Sequence, residues 1–221
     1  DSYDLDHLHS VVIRTKTQYR YFISDASATD AEGTGIIASI QNDLNATGRW
    51  EYGLLSGIQA NAVWSGYDDT GSELIIHGNN SGYVFYQENG NTFNGTDITA
   101  IYKTPYLDFG DTTIRKLFRK LNIFLSTEGS VVLNLGITYD WNRLDVINPA
   151  GYIATGAAGA ASWDSGVQWD DGTDWGQGAQ PIFNINIQGS GFAVQASLVT
   201  IGYAPYTIQG LVYEFSVKGG Q

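Results

Sequence analysis

Apolar and polar residues alternate along most of this chain at a spacing of two, so the elements it predicts are strands. In residues 11–23, Val11, Ile13, Thr15, Thr17, Tyr19, Tyr21 and Ile23 take one face and Arg14, Lys16, Gln18 and Arg20 the other. That predicts one half-solvated strand. Shorter strands are expected at 35–40, from Trp50 onward, at 57–65 ending in Val63-Trp64, at 73–78 and at 83–86. Turns rich in Gly, Asn and Asp separate them at 68–72, 79–82 and 87–91. Short strands with such turns about every eight to twelve residues predict an antiparallel meander. The strand–turn–strand unit at 73–86 resembles part of a propeller blade, although no strict internal repeat is present.

The stretch 103–139 organises the second half. Two β-rich runs, ending at Leu125 and beginning at Val131, flank the short turn at Glu128-Gly129 and read as a hairpin. In a straight strand Ile114, Lys116, Phe118, Lys120 and Phe124 share one face. Arg115, Leu117, Arg119, Leu121, Ile123 and Leu125 share the other. A helix competes with this reading: Ile114, Leu117, Phe118 and Leu121 fall at helical spacing, and Asp111 is placed to cap it. The run 121–125 continues without a Gly stop, which favours the strand. Beyond it, Phe183, Ile185 and Ile187 oppose Ile182, Asn184 and Asn186. Gly189-Ser190-Gly191 reads as a turn, 192–201 as a strand, and 208–217 as the last strand, with Leu211, Tyr213, Phe215 and Val217 on one face. The fold class expected is all-β: an antiparallel β-sandwich or barrel of about six strands over 104–221, preceded by a propeller-blade-like meander over 1–103.

Composition supports strands. Of 221 residues, 27 are Gly and 14 are Tyr. There is no Cys, which excludes disulfides, thiolate metal sites and cysteine nucleophiles. There is also no Met, even at position 1, so Asp1 is expected to begin a processed or partial chain. No apolar run approaches the roughly 20 residues that span a bilayer. A net charge of −12 argues against a general nucleic-acid-binding surface. Against that balance, five of the eleven Lys and Arg residues (Lys103, Arg115, Lys116, Arg119, Lys120) lie in one stretch.

Candidate chemistry is sparse. Only three His occur, all before residue 78, and nothing local supports a Ser-His-Asp site. His7 and His9 sit at i and i+2 without an implied third metal ligand, which reads as an exposed polar segment. Asp170-Asp171-Gly172-Thr173-Asp174 lacks the spaced ligands of a calcium loop and reads as an acidic turn. Carboxylates for glycoside hydrolysis would come from Asp68, Asp69, Glu73, Asp140 and Asp171, but nothing selects a pair. No residue is assigned as catalytic, cofactor-binding or metal-binding, and a non-enzyme is expected. Trp163, Trp169 and Trp175 recur every six residues in a Gly-, Ala- and Asp-rich region. Such a row suits stacking on sugar rings or burial in a partner.

Several short motifs follow one another in order. They are Gly82-Tyr83-Val84-Phe85, Asn91-Thr92-Phe93-Asn94-Gly95, the run 98–111, Arg115-Lys116, Glu128-Gly129 and Tyr139-Asp140. Gly189-Ser190-Gly191-Phe192 and Pro205-Tyr206-Thr207-Ile208-Gln209-Gly210 complete the series. Over 70–221 this order resembles the C-terminal part of the tail nozzle (tail tubular) proteins of short-tailed bacteriophages. The resemblance implies propeller blades joined to a β-sandwich or barrel, and a homo-oligomeric, hexameric ring in the virion tail. It also implies contacts with other tail proteins and DNA passing through without sequence-specific binding. The chain is far shorter than a whole nozzle protein. In a ring, Arg115, Lys116, Arg119 and Lys120 are the expected subunit-interface cations, meeting Asp170, Asp171 and Asp174 of a neighbour. The competing expectation is a carbohydrate-binding β-sandwich module, suggested by the Gly-rich strands, the many Tyr and the Trp row.

Overall fold

The computed structural model describes residues 8–23, 33–41, 49–127, 129–156, 182–202 and 204–217. Asp170, Asp171, Asp174 and the row Trp163, Trp169 and Trp175 lie outside the described residues, as does His7. The fold is all-β, and every strand pairing is antiparallel. Among the described residues no helix is long and apolar enough to cross a membrane. The chain divides into two units, Asp1–Phe93 and Asn94–Gln221.

The first unit contains two meanders. β1 (Leu8–Ile13), β2 (Gln18–Ile23), β3 (Thr34–Gln41) and β4 (Arg49–Ser56) form a four-stranded sheet in chain order. β5 (Ala62–Tyr67), β6 (Glu73–Gly78) and β7 (Val84–Tyr86) form a three-stranded one. The single strand expected over 11–23 is instead the β1–β2 hairpin, because residues 14–17 turn and Thr17 adopts φ 47°. This reverses the facing: Val11, Ile13, Arg20 and Phe22 become the buried positions, while Tyr19 and Tyr21 lie opposite. The strand expected at 57–65 begins only at Ala62. Val11, Ile13, Phe22 and Leu55 from the first sheet pack with Ile75 from the second, and with Ile58 and Ala60 of the connection.

The second unit is a β-sandwich. β8 (Ile98–Lys103), β10 (Val131–Tyr139), β11 (Tyr152–Gly156) and β13 (Val194–Gly202) form one sheet in the order β11-β10-β13-β8. β9 (Lys116–Thr127), β12 (Ile182–Gly191) and β14 (Tyr206–Val217) form the other in the order β12-β9-β14. β8 belongs here through its pairing with β13. Leu133, Leu135, Ile137, Tyr139 and Leu198 of the first sheet meet Phe118, Leu121, Ile123, Leu125 and Ile187 of the second in one core. At roughly 25 cal/mol per Å² of apolar surface removed from water, this contact is the main stabilising term of the unit.

The favoured strand reading of this stretch holds, while other expectations change. Residues 116–127 are strand, so the helix is ruled out; Asp111 instead accepts from Thr113 N at 2.7 Å in a tight turn. β9 and β10 do not form a hairpin. Each is an inner strand of a different sheet, so β9, ending at Thr127, and β10, starting at Val131, lie in different sheets. A central place flanks both of them with pairing partners. Finally, β9 is not straight. Its register against β14 shifts between Lys120 and Phe118, so Arg119 is an extra residue. This bulge reverses the parity, and Lys116 and Phe118 join Leu121, Ile123 and Leu125 on the buried side. The turn expected at 189–191 falls at 192–193; Val217 keeps the face of Leu211, Tyr213 and Phe215 but is exposed at the strand end.

Candidate functional site

The four expected interface cations end in different surroundings. The Lys116 ammonium is 3% exposed as a residue and donates to Asp111 O (2.5 Å), Ile114 O (3.0 Å) and Phe192 O (3.2 Å). It therefore ties three loop carbonyls to the sandwich rim. Arg115 donates to the Ser190 hydroxyl and carbonyl, both at 3.1 Å, with its guanidinium 5.6 Å from the Phe192 ring centre. Lys120 approaches Glu214 at 4.0 Å, and Glu214 also accepts from Asn122 at 3.1 Å. Arg119, in the bulge, is exposed.

The described carboxylate candidates with polar contacts carry turns and joints. Asp140 is buried and accepts from Phe192 N (2.6 Å) and Ala193 N (3.1 Å). It thereby anchors a turn in which Asp140, Trp141 and Asn142 all hold positive φ. Asp68 accepts from Thr70 and Ser72; the Thr70 hydroxyl, then the backbone N–H groups, hold its carboxyl below the usual range. Glu73 accepts from Arg14 N, Thr15 N and the Thr15 hydroxyl, and Asp69 is exposed in the turn. Among the described residues no group of three His, Asp or Glu is placed to hold a metal. His9 lies in β1.

What the fold does assemble is an open apolar face. Cross-strand neighbours on the β1–β4 sheet run Val12–Tyr19–Ala38–Tyr52 in one row and Ser10–Tyr21–Ile36–Leu54 in the next, with Ile40 beside Trp50. These positions face away from the core that Val11, Ile13, Phe22 and Leu55 build on the other side. Leu54 is 91% exposed, Tyr52 72% and Trp50 49%. Two rows of four positions and a third of two, with strands about 4.8 Å and rows about 6.8 Å apart, give roughly 330 Å². That lies in the range where an apolar patch usually marks an interaction site.

A smaller aromatic surface lies on the outer face of the β5–β7 sheet. Trp64, Ile76 and Tyr86 are cross-strand neighbours, and both aromatic residues are about half exposed. The six-membered ring of Trp64 lies close against Gly66: a Cβ there would stand 2.2 Å from it. Only Gly at position 66 leaves room for the indole to approach the strand this closely.

The chain matches no family model and no curated protein. Of these two surfaces, Trp50 and Trp64 were visible in the sequence as strand residues. Which strand faces stay uncovered is a tertiary property, and no local signal carries it.

Proposed function

We propose that this chain is a structural subunit of a bacteriophage tail, a nozzle- or tube-like component that assembles with copies of itself around the DNA exit path. The observation that carries the assembly is the open face of Tyr52, Leu54, Trp50 and Ile36. A sheet that buries one face and leaves aromatic and aliphatic side chains on the other gains stability when another chain covers it. The tail assignment rests on the order of motifs over 70–221. The charge of −12 fits a wall past which DNA slides, since like charge repels the phosphates. The proposed role needs no catalytic group. Light scattering at several concentrations, followed by electron microscopy of the particles, tests it. Closed rings are expected; a monomer at every concentration overturns it.

A second reading, a carbohydrate-binding module, is favoured by the half-exposed Trp64, held close against Gly66, with half-exposed Tyr86 two strands away. Alternate strands stand about 10 Å apart, so two uncharged aromatic side chains stand side by side on this surface. A glycan array distinguishes the readings: binding that Trp64→Ala abolishes supports this one.

A further inference from the structure

The β1–β4 sheet has two edges, and they differ. At β1 the edge is occupied: Ser65 donates its hydroxyl to Val12 O at 2.8 Å, and Glu73 takes the Arg14 and Thr15 N–H groups at 2.8 Å each. At β4, among the described residues, only β3 is paired. β4 is eight residues long, regular in register and free of Pro and Lys, and all but Leu55 are exposed. Proteins that keep an edge solitary usually blunt it with Lys, Pro, a bulge or a cover. This edge has no Lys, Pro or bulge, and its charges are confined to Arg49 and Glu51. Its unpaired N–H and C=O groups call for an extended strand as occupant.

We infer that the free edge of β4 pairs antiparallel with the β4 edge of a second copy of this chain, with Tyr52 opposite Tyr52 across a two-fold axis. The inference rests on the assembly half of the proposed function and adds an edge-to-edge contact that leaves the open face free for a covering chain. The side chains select the register. With Tyr52 on the axis, Trp50 stands opposite the partner copy's Leu54 and Leu54 opposite its Trp50, so three apolar pairs form on one face. The rows then continue from one sheet into the next, and both buried cores stay on the same side. Shifting the centre to Glu51 sets two Glu side chains opposite each other, which is unfavourable. Centring between Tyr52 and Gly53 places the two apolar faces on opposite sides of the joined sheet. A two-fold joint closes on itself, so a ring requires a second, head-to-tail contact elsewhere. One strand pair buries less than the roughly 1,200–2,000 Å² of a stable interface. The joint is therefore reversible and is best trapped covalently.

The chain contains no Cys, so an introduced one reports its own position alone. Directly opposite residues in an antiparallel pair have Cα atoms about 4.5–5.5 Å apart, inside the disulfide range of about 4.4–6.8 Å. Under mild oxidation of the full chain, Tyr52→Cys is expected to give a covalent dimer. Leu54→Cys alone is expected to stay monomeric, since its two copies lie roughly 13 Å apart along the strands. An equimolar mixture of Trp50→Cys and Leu54→Cys is expected to give the mixed dimer. All three positions are exposed, and circular dichroism with a thermal melt verifies that each variant folds. If Tyr52→Cys stays monomeric, or Leu54→Cys links as fast, the inference is overturned. A large native particle together with no Tyr52→Cys link sinks this joint and leaves the assembly reading standing. A native monomer with no link sinks both.

Discussion

Gly189 lies beneath the ring of Tyr139: a Cβ on Gly189 would stand 2.3 Å from Cε2 of that ring. Gly189 has φ +131°, and the Tyr139 hydroxyl donates to Gln188 O at 2.9 Å. One contact thus joins the central strand of one sheet to an outer strand of the other. Gly189→Ala meets both the backbone penalty and the ring, and is expected to lose about 3 kcal/mol or more. Tyr139→Phe removes only the hydroxyl and is expected to lose about 1 kcal/mol. Urea unfolding midpoints of the two variants measure the difference. Equal losses would mean that the close approach carries no energy.

Arg119 matters as a position rather than as a side chain. Its extra residue lets Phe118 and Leu121 face the same core. Arg119→Ala keeps the bulge and is expected to stay within about 0.5 kcal/mol of wild type. Deleting Arg119 straightens β9 and turns either Lys116 and Phe118 or Leu121, Ile123 and Leu125 to the outside. Exposing even one such apolar side chain loses about 1.5–3 kcal/mol, so the deletion is expected to unfold the sandwich. Circular dichroism and a thermal melt of both proteins decide it.

These positions also explain what the sequence could and could not reveal. Val131–Tyr139 and Phe183, Ile185 and Ile187 alternate without interruption, and the fold follows them. At Thr17 and Arg119 one turn or bulge residue reverses the facing, with no Gly or Pro to announce it. The hint at Arg119 was that Phe118 and the series Leu121, Ile123 and Leu125 have opposite parity. The crossover between β9 and β10 had no local signal, because a short turn serves a hairpin and a sheet-to-sheet crossing alike. Lys116 looked like a surface cation for the same reason: only the folded rim brings three carbonyls to its ammonium. The β4 alternation of Trp50, Tyr52 and Leu54 was readable, but its exposure depends on what packs nearby.

The first unit should be acid-sensitive. Burial alone would raise the Glu88 carboxyl, but Lys16 and Arg20 beside it outweigh that and hold it below the usual range. Burial likewise opposes the Glu73 shift, and the N–H groups of Arg14 and Thr15, the Thr15 hydroxyl and the Arg14 charge prevail. Both folded values are depressed, so their contribution is full above the ordinary value of 4.5 and is lost as pH falls through the lower folded values. Glu88→Gln is expected to lower stability at neutral pH and to flatten the decline below pH 4.5. Denaturation midpoints at neutral and acid pH measure it; parallel declines in both proteins would count against Glu88.

The second unit should be sensitive to alkali instead. Burial pushes the Tyr213 hydroxyl from 10.0 up to about 12, with Thr104 opposing and Tyr102 adding to the rise. Burial, with Tyr152 and Tyr213 nearby, raises Tyr139 as well. A raised folded value means that the stabilising contribution is complete below pH 10.0 and is lost as pH climbs through about 12. Tyrosinate absorbance and circular dichroism followed over that interval should change together. Full tyrosine ionisation with an intact spectrum would show that these hydroxyls are open to solvent.

The assembly face admits a test that separates fold from contact. Tyr52 and Leu54 are so exposed that replacing them removes almost no packing from a single chain. Tyr52→Lys with Leu54→Lys is therefore expected to shift stability by no more than about 1 kcal/mol. In an assembled face the same two ammonium groups would be buried without partners, at a loss of several kcal/mol per ion. At 1.4 kcal/mol per tenfold, even one such ion weakens association by more than a hundredfold. Light scattering of the double variant should then show monomers at concentrations where the native chain is assembled, with an unchanged melt. A particle of native mass would mean that no chain covers this face, leaving Trp64 and Tyr86 as the next surface to substitute.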